Sequence, residues 1–141
     1  MISILAAVLT NFGGHWVGTG FAHDKSGWQA KCDQIEFQST QTEEVISIHS
    51  GNLRCGNLKT TWRPHQVQIR GNELWFNGEK IGTIAETHVH TESISANSKI
   101  KQVFDFEIQG EIMLYNEIWT DLSGSREYLS IQGQLERIEK P

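Results

Sequence analysis

The chain has 141 residues, enough to bury one hydrophobic core without metals and too few for two ordinary domains. With 38% hydrophobic and 21% charged residues it is neither disordered, fibrous nor low in complexity. Twelve Lys and Arg against seventeen Asp and Glu give a net charge of −5, and the basic residues are scattered singly, so no basic face exists for nucleic acid or a membrane surface.

The chain begins with MISILAAVLT, Met1 to Thr10, an apolar run as long as a signal-peptide core but lacking a basic leader and far too short to span a bilayer. We read it as an ordered segment covering one end of the fold, with export as a companion expectation. GGHWVGTGF follows, from Gly13 to Phe21. Gly14, Trp16, Gly18 and Gly20 share parity and therefore one strand face, where missing side chains leave room for a single indole. This stretch predicts a coiled, barrel-closing strand with Trp16 plugging the floor; a glycine-bulged strand in an ordinary sheet is the alternative.

From there the period is two. QIEFQ, VISIHS, QVQIR, KQVFDFEIQ and YLSIQGQLERI alternate apolar with polar residues, the pattern of strands with one buried face. About nine or ten strands are expected, near 14–23, 29–39, 43–50, 53–62, 66–70, 73–77, 79–90, 101–109, 111–120 and 126–138. HSGNLR, IQGEI and DLSGSR read as reversals. Asn77-Gly78 marks a type I′ hairpin, placing Phe76 opposite Glu79, Leu74 opposite Ile81, Asn72 opposite Thr83, and Trp75 across from Lys80 for a cation–π contact. Thr91 to Lys99 reads as a flexible loop, and the two prolines, Pro64 and Pro141, leave the strands uninterrupted.

An expected inward set follows from parity: Ile35 and Phe37, Ile46 and Ile48, Val67 and Ile69, Leu74, Phe76 and Ile81, Phe104, Phe106 and Ile108, Ile112 and Leu114, and Leu129, Ile131 and Leu135. The fold class is all-β: a single closed antiparallel up-and-down barrel over residues 1–141, of about eight to ten strands with a short N-terminal segment. A β-sandwich is the alternative.

Cys32 and Cys55, 23 positions apart, lack the partners of a zinc site and predict a disulfide, hence a secreted or periplasmic protein; two reduced thiols are the alternative. Cys32 is out of parity with Ile35 and Phe37, so the bridge is expected outside or at a rim, joining one strand to the next but one, unless a bulge intervenes. His88 and His90 share a face and are the only metal-ligand candidates, though a solvated polar face with Glu86 and Glu92 is the plainer reading. No nucleophile turn, acid–base pair or phosphate loop is present, so neither a catalytic residue nor a cofactor is expected. The aromatics Phe37, Trp62, Phe76, Phe104, Phe106 and Tyr115 either line a cavity or fill a core.

NFGGHW resembles the Asn-Phe…Gly-x-Trp opening of the lipocalins, and GHWVGTG resembles the opening of the nitrobindin-like haem-binding barrels, both calycin-like. The resemblance implies that Trp16 packs at the closed end and that a late arginine, Arg126 or Arg137, stacks on it. Thr120-Asp121 lacks the tyrosine usual in lipocalins, FAHD replaces the Tyr-Pro pair of the nitrobindin-like proteins, and no histidine follows His90. The implied function is non-catalytic binding of a small apolar or amphipathic ligand by Phe37, Trp62, Phe76, Phe104, Phe106 and Tyr115, with Gly14, Trp16, Gly18, Cys32 and Cys55 structural. A barrel that binds a protein partner, such as an inhibitor of a secreted hydrolase, is the alternative, and a haem or metal carrier using His88 and His90 is a third. Neither nucleic acid nor a membrane span enters any of these.

Overall fold

The computed structural model describes residues 8–95 and 99–139. Most of the Met1–Thr10 run and the middle of the expected 91–99 loop thus lie outside the described residues.

Eleven strands follow one another: β1 (Gly14–His23), β2 (Gln29–Gln41), β3 (Val45–Cys55), β4 (Leu58–Trp62), β5 (His65–Arg70), β6 (Glu73–Phe76), β7 (Glu79–Ile84), β8 (His88–Ile94), β9 (Lys101–Gln109), β10 (Ile112–Thr120) and β11 (Glu127–Glu139). All pairings are antiparallel. The first strand pairs with the last and β2 with β3, so ten strands form a closed barrel and β4 is one extra. Closure satisfies both edges that a meander would otherwise expose. No helix occurs among the described residues.

Several strand boundaries differ from the sequence expectation. HSGNLR is not a reversal, since β3 runs through it, with a register shift opposite Gln38 and Ser39 that leaves His49 bulged. Gly51 serves a different purpose there: a Cβ at this position would lie 2.7 Å from the Trp62 indole, which rests on the bare backbone. β4 and β5 both pair with β3 in one continuous register, from Cys55↔Leu58 to Val45↔Gln68. They form one strand broken at Arg63 and Pro64, so a proline does interrupt the sheet, because it has no amide hydrogen for the ladder. The expected strand over 79–90 is likewise split by a turn in which the Ala85 amide donates to the His88 carbonyl at 2.8 Å, and β8 continues to Ile94.

The hairpin at Asn77-Gly78 has both residues at positive φ, 50° and 79°. Trp75 faces Lys80 and Phe76 faces Glu79 as expected, but a bulge beside Leu74 slips the register beyond, pairing Leu74 with Gly82 and Glu73 with Thr83. The cation on Trp75 is Arg70, 4.5 Å from the ring, while Lys80 turns to Glu73 at 3.0 Å.

One end of the barrel is sealed. Trp16 is 0% exposed, and its Nε1–H donates to the Phe12 carbonyl at 2.9 Å. Phe12 stacks on Phe37 at 5.1 Å, carried by a segment whose Thr10 amide donates to Ala85 and whose Phe12 amide donates to Gln41 Oε1, both at 2.8 Å. Arg137 covers the indole at 4.5 Å and donates to the Asn11 carbonyl at 2.6 Å. Beside it, β1 and β11 approach so closely that a Cβ on Gly18 would stand 2.0 Å from the Gln134 carbonyl oxygen.

Cys32 and Cys55 form a disulfide. They are register partners on adjacent strands, not alternate ones, and both are fully buried instead of external. The cause is the bulge between Cys32 and Gln34, which returns Cys32 to the face of Ile35 and Phe37.

Candidate functional site

The site is built on β10. Its sequence, IMLYNEIWT, carries large apolar residues in both parities, and the structure turns Met113, Tyr115, Glu117 and Trp119 toward the interior. The expectation for Ile112 and Leu114 is thereby corrected: Leu114 is exposed and Ile112 only half-buried. The set with the larger rings occupies the core and takes a carboxylate with it.

Glu117 is 2% exposed. The Tyr115 hydroxyl donates to its Oε1, and Trp119 Nε1–H donates to its Oε2 at 2.6 Å. Its register neighbours are Phe104 on β9 and Ile131 on β11, both apolar. Burial pushes the Glu117 carboxyl above the usual carboxylate range, against the pull of its two hydrogen bonds. Burial, then the Glu117 charge, pushes the Tyr115 hydroxyl well above the usual phenol value. Among the described residues no cation forms an ion pair with Glu117.

Five of the six aromatics singled out from sequence form one cluster, which reaches this carboxylate through Tyr115 and Phe104. Trp62 lies 5.1 Å from Phe37, edge-on to Phe104 at 5.8 Å and nearly parallel to Tyr115 at 6.3 Å; Phe106 lies 5.3 Å from Tyr115. Phe37, Phe106 and Tyr115 are buried, whereas Trp62, Phe104 and Trp119 are half-buried. Phe76 stands apart at the β6–β7 hairpin tip, 36% exposed, with its ring edge-on to His65 at 5.7 Å. The bulge next to Leu74 and the shortness of β6 keep it at the margin.

Half-buried Trp62 lies where the wall is incomplete. Among the described residues β4 is paired with β3 alone, and β8 from Glu92 to Ile94 is paired with β9 alone. Between these two edges, above the β6–β7 hairpin, the hydrogen-bonded ladder does not close. Two surface clefts lie elsewhere, one lined by Asp24, Lys25, Ser26 and residues Ser125 to Tyr128, the other by Phe76, Trp75 and their β3 and β5 neighbours.

His88 and His90 point away from the interior, with buried Val89 between them facing in. Both rings meet one oxygen, Asp105 Oδ1, at 2.9 and 2.7 Å, instead of converging on a point between separate donors. A haem edge in the lumen is therefore out of their reach. Burial lowers the His90 pKa, but hydrogen bonds and charge from Asp105 and Glu92 outweigh it and the net shift is upward. Of the two arginines offered as partners for Trp16, Arg137 stacks on it and Arg126 lies beside Tyr128, 5.9 Å from that ring.

Glu117 escaped the sequence reading. A signal was present: Tyr115, Glu117 and Trp119 share parity, so any strand that buries the two aromatics must bury the acid between them.

No family model matches the chain, and no curated protein matches it. Solved structures do. The S-type phycobiliprotein lyase CPES from Guillardia theta is similar, with a TM-score of 0.61 at 11% identity, over 92% of this chain and 90% of that one. A protein of unknown function from the DUF3598 family of Nostoc punctiforme gives 0.62 at 12% identity; it covers 90% of this chain, which spans about half (47%) of that one. Likeness at this identity establishes the fold. It also corrects the expectation of a protein without catalysis: a barrel of this form carries a lyase, so the missing nucleophile turn does not mark the fold as catalytically idle.

Proposed function

We propose that the chain is a single calycin-like barrel domain, residues 1–141, that takes a small apolar or amphipathic ligand into its open half through the gap between β4 and β8. The observation that carries this reading is half-buried Trp62 on a strand that, among the described residues, pairs on one side only, next to half-buried Phe104 in a cluster that holds a buried carboxylate. Apolar walls with a few placed polar groups are the usual make-up of a ligand site. Phe37, Phe106 and Tyr115 form its floor, and Phe76 lies at its margin. The likeness to a phycobiliprotein lyase supports ligand handling by such a barrel. The buried disulfide supports a secreted or periplasmic setting, and no described helix is long and apolar enough to cross a membrane. A fluorescent fatty-acid analogue or ANS should titrate in at about micromolar concentration and quench tryptophan emission; absence of any response counts against the reading.

A second reading has its own support. The interior rings touch one another, while Phe21 is 67% exposed and Leu122 and Tyr128 are exposed at the open end. A filled core with apolar residues on the outside suits a protein partner, such as a secreted hydrolase that the barrel inhibits. Pulldown from a secreted enzyme fraction, followed by Phe21→Ser and Tyr128→Ser variants, tests it.

A further inference from the structure

Separately from the lumen, we infer that the outer face of the barrel carries a second binding site, for a neutral saccharide, in the cleft between β5 and the tip of the β6–β7 hairpin. The cleft follows from the strand pairing. β6 pairs with β5 only from Gln68↔Trp75 to Arg70↔Glu73, so His65 and Gln66 on one side and Phe76 to Gly78 on the other have no ladder between them. The space measures about 420 Å³, within the range of roughly 300–1,000 Å³ usual for small-molecule sites.

Its lining combines rings with amides. Trp75 and Phe76 supply the rings, Gln66, Gln68 and Asn77 the amides, and no Asp, Glu, Lys or Arg is among the described residues that line it. Gln66 and Gln68 are exposed on one face of β5, opposite buried Val67. Their side chains are engaged in opposite senses. Gln68 Oε1 accepts from Arg70 at 3.0 Å, which leaves its amide nitrogen to donate; Gln66 Nε2 donates to Ser47 Oγ at 3.4 Å, which leaves its carbonyl oxygen to accept. His65 Nδ1–H donates to the Arg63 carbonyl at 2.7 Å, so Nε2 of the neutral ring is a further acceptor.

Trp75 is held in place before any ligand arrives. Its Nε1–H donates to Glu73 Oε1 at 3.3 Å, and the Arg70 guanidinium lies 4.5 Å from the ring centre. Arg70 does not line the cleft, so the part of the indole that does is left uncovered by it. A ring fixed in this way needs little further ordering when a ligand settles on it. A pyranose matches the set: its C–H face packs on an aromatic ring, and its adjacent hydroxyls each donate and accept, as the two glutamines require. A carboxylate or phosphate finds no cation in the lining, and an alkyl chain leaves the three amides unpaired.

The test titrates maltotriose, cellotriose and laminaritriose by calorimetry and proton–nitrogen NMR, with trigalacturonate and the uncharged peptide acetyl-Ser-Gly-Asn-Ser-amide alongside. At least one neutral trisaccharide should bind with a Kd below about 1 mM, shifting the side-chain amide signals of Gln66 and Gln68 and the indole signal of Trp75. Gln68→Ala should weaken it about fivefold and Trp75→Ala at least about tenfold, with Trp75→Phe falling between Trp75→Ala and the natural protein. The inference is overturned if all three sugars fail to bind, if trigalacturonate binds as tightly, if the peptide binds and the sugars do not, or if sugar binding survives Gln68→Ala and Trp75→Ala. Gln68 is exposed on the outer face, so its variant keeps the test decisive even where Trp75→Ala does not fold. The ANS response of the lumen should be the same in Gln68→Ala, so failure of the sugars leaves the ligand-binding reading above standing.

Discussion

Two tryptophans in the same barrel live under opposite conditions. Trp16, at the sealed end, lies between strands paired on both sides; its N–H is satisfied by a backbone carbonyl and its face is covered by Arg137. Trp62, in the open half, sits on a strand with one neighbour, rests on the bare backbone of Gly51 and remains half-buried. The first is fixed from every direction and the second from one. A barrel built this way separates the task of holding its shape from the task of admitting something.

That separation can be broken most severely at the floor. Trp16→Ala should cost about 3–5 kcal/mol, measured by urea unfolding, because a large cavity opens among groups that cannot collapse into it. Loss of the Cys32–Cys55 bridge in a Cys32→Ala/Cys55→Ala double variant should cost about 3 kcal/mol on the loop-entropy model, with the midpoint of the intact protein falling similarly when a reductant is added. Trp62→Ala sharpens the contrast: a cost of about 1–3 kcal/mol, below that of Trp16→Ala in the same assay, together with most of the fluorescence response to ligand lost. Equal costs at the two positions would erase the distinction between floor and gate.

The smallest effect concerns the outer face of β8. His90 has a raised pKa in the folded state, so its pairing with Asp105 and Glu92 stabilises fully below the ordinary value of 6.5 and fades as pH rises through the raised one. The stability difference between the natural protein and His90→Gln should therefore be larger at about pH 6 than at about pH 9 in thermal melts. A difference that stays constant across that range would make the network inert.

Much of the barrel was legible because alternation is a direct imprint of a one-sided sheet, and Asn77-Gly78 fixed a turn through backbone sterics alone. Parity failed where a bulge added a residue: at Cys32, which moved the disulfide inside, and beside Leu74, which moved Phe76 toward the margin. Bulges leave little trace in composition, since they are set by neighbouring strands and not by the residues that form them. On β10 the difficulty was another one. Both faces looked apolar, and alternation alone does not say which set goes in.

The same pairing that closes the wall also sets a schedule for making it. β1 is hydrogen-bonded to β11, and Arg137 reaches back 126 positions to hold Asn11. During synthesis the glycine-rich β1 must therefore wait, with one long edge unsatisfied, until residues 127–139 have emerged from the ribosome. A nascent chain in that state offers other polypeptides an open strand, which makes its vulnerable period the interval of translation and not the life of the finished molecule.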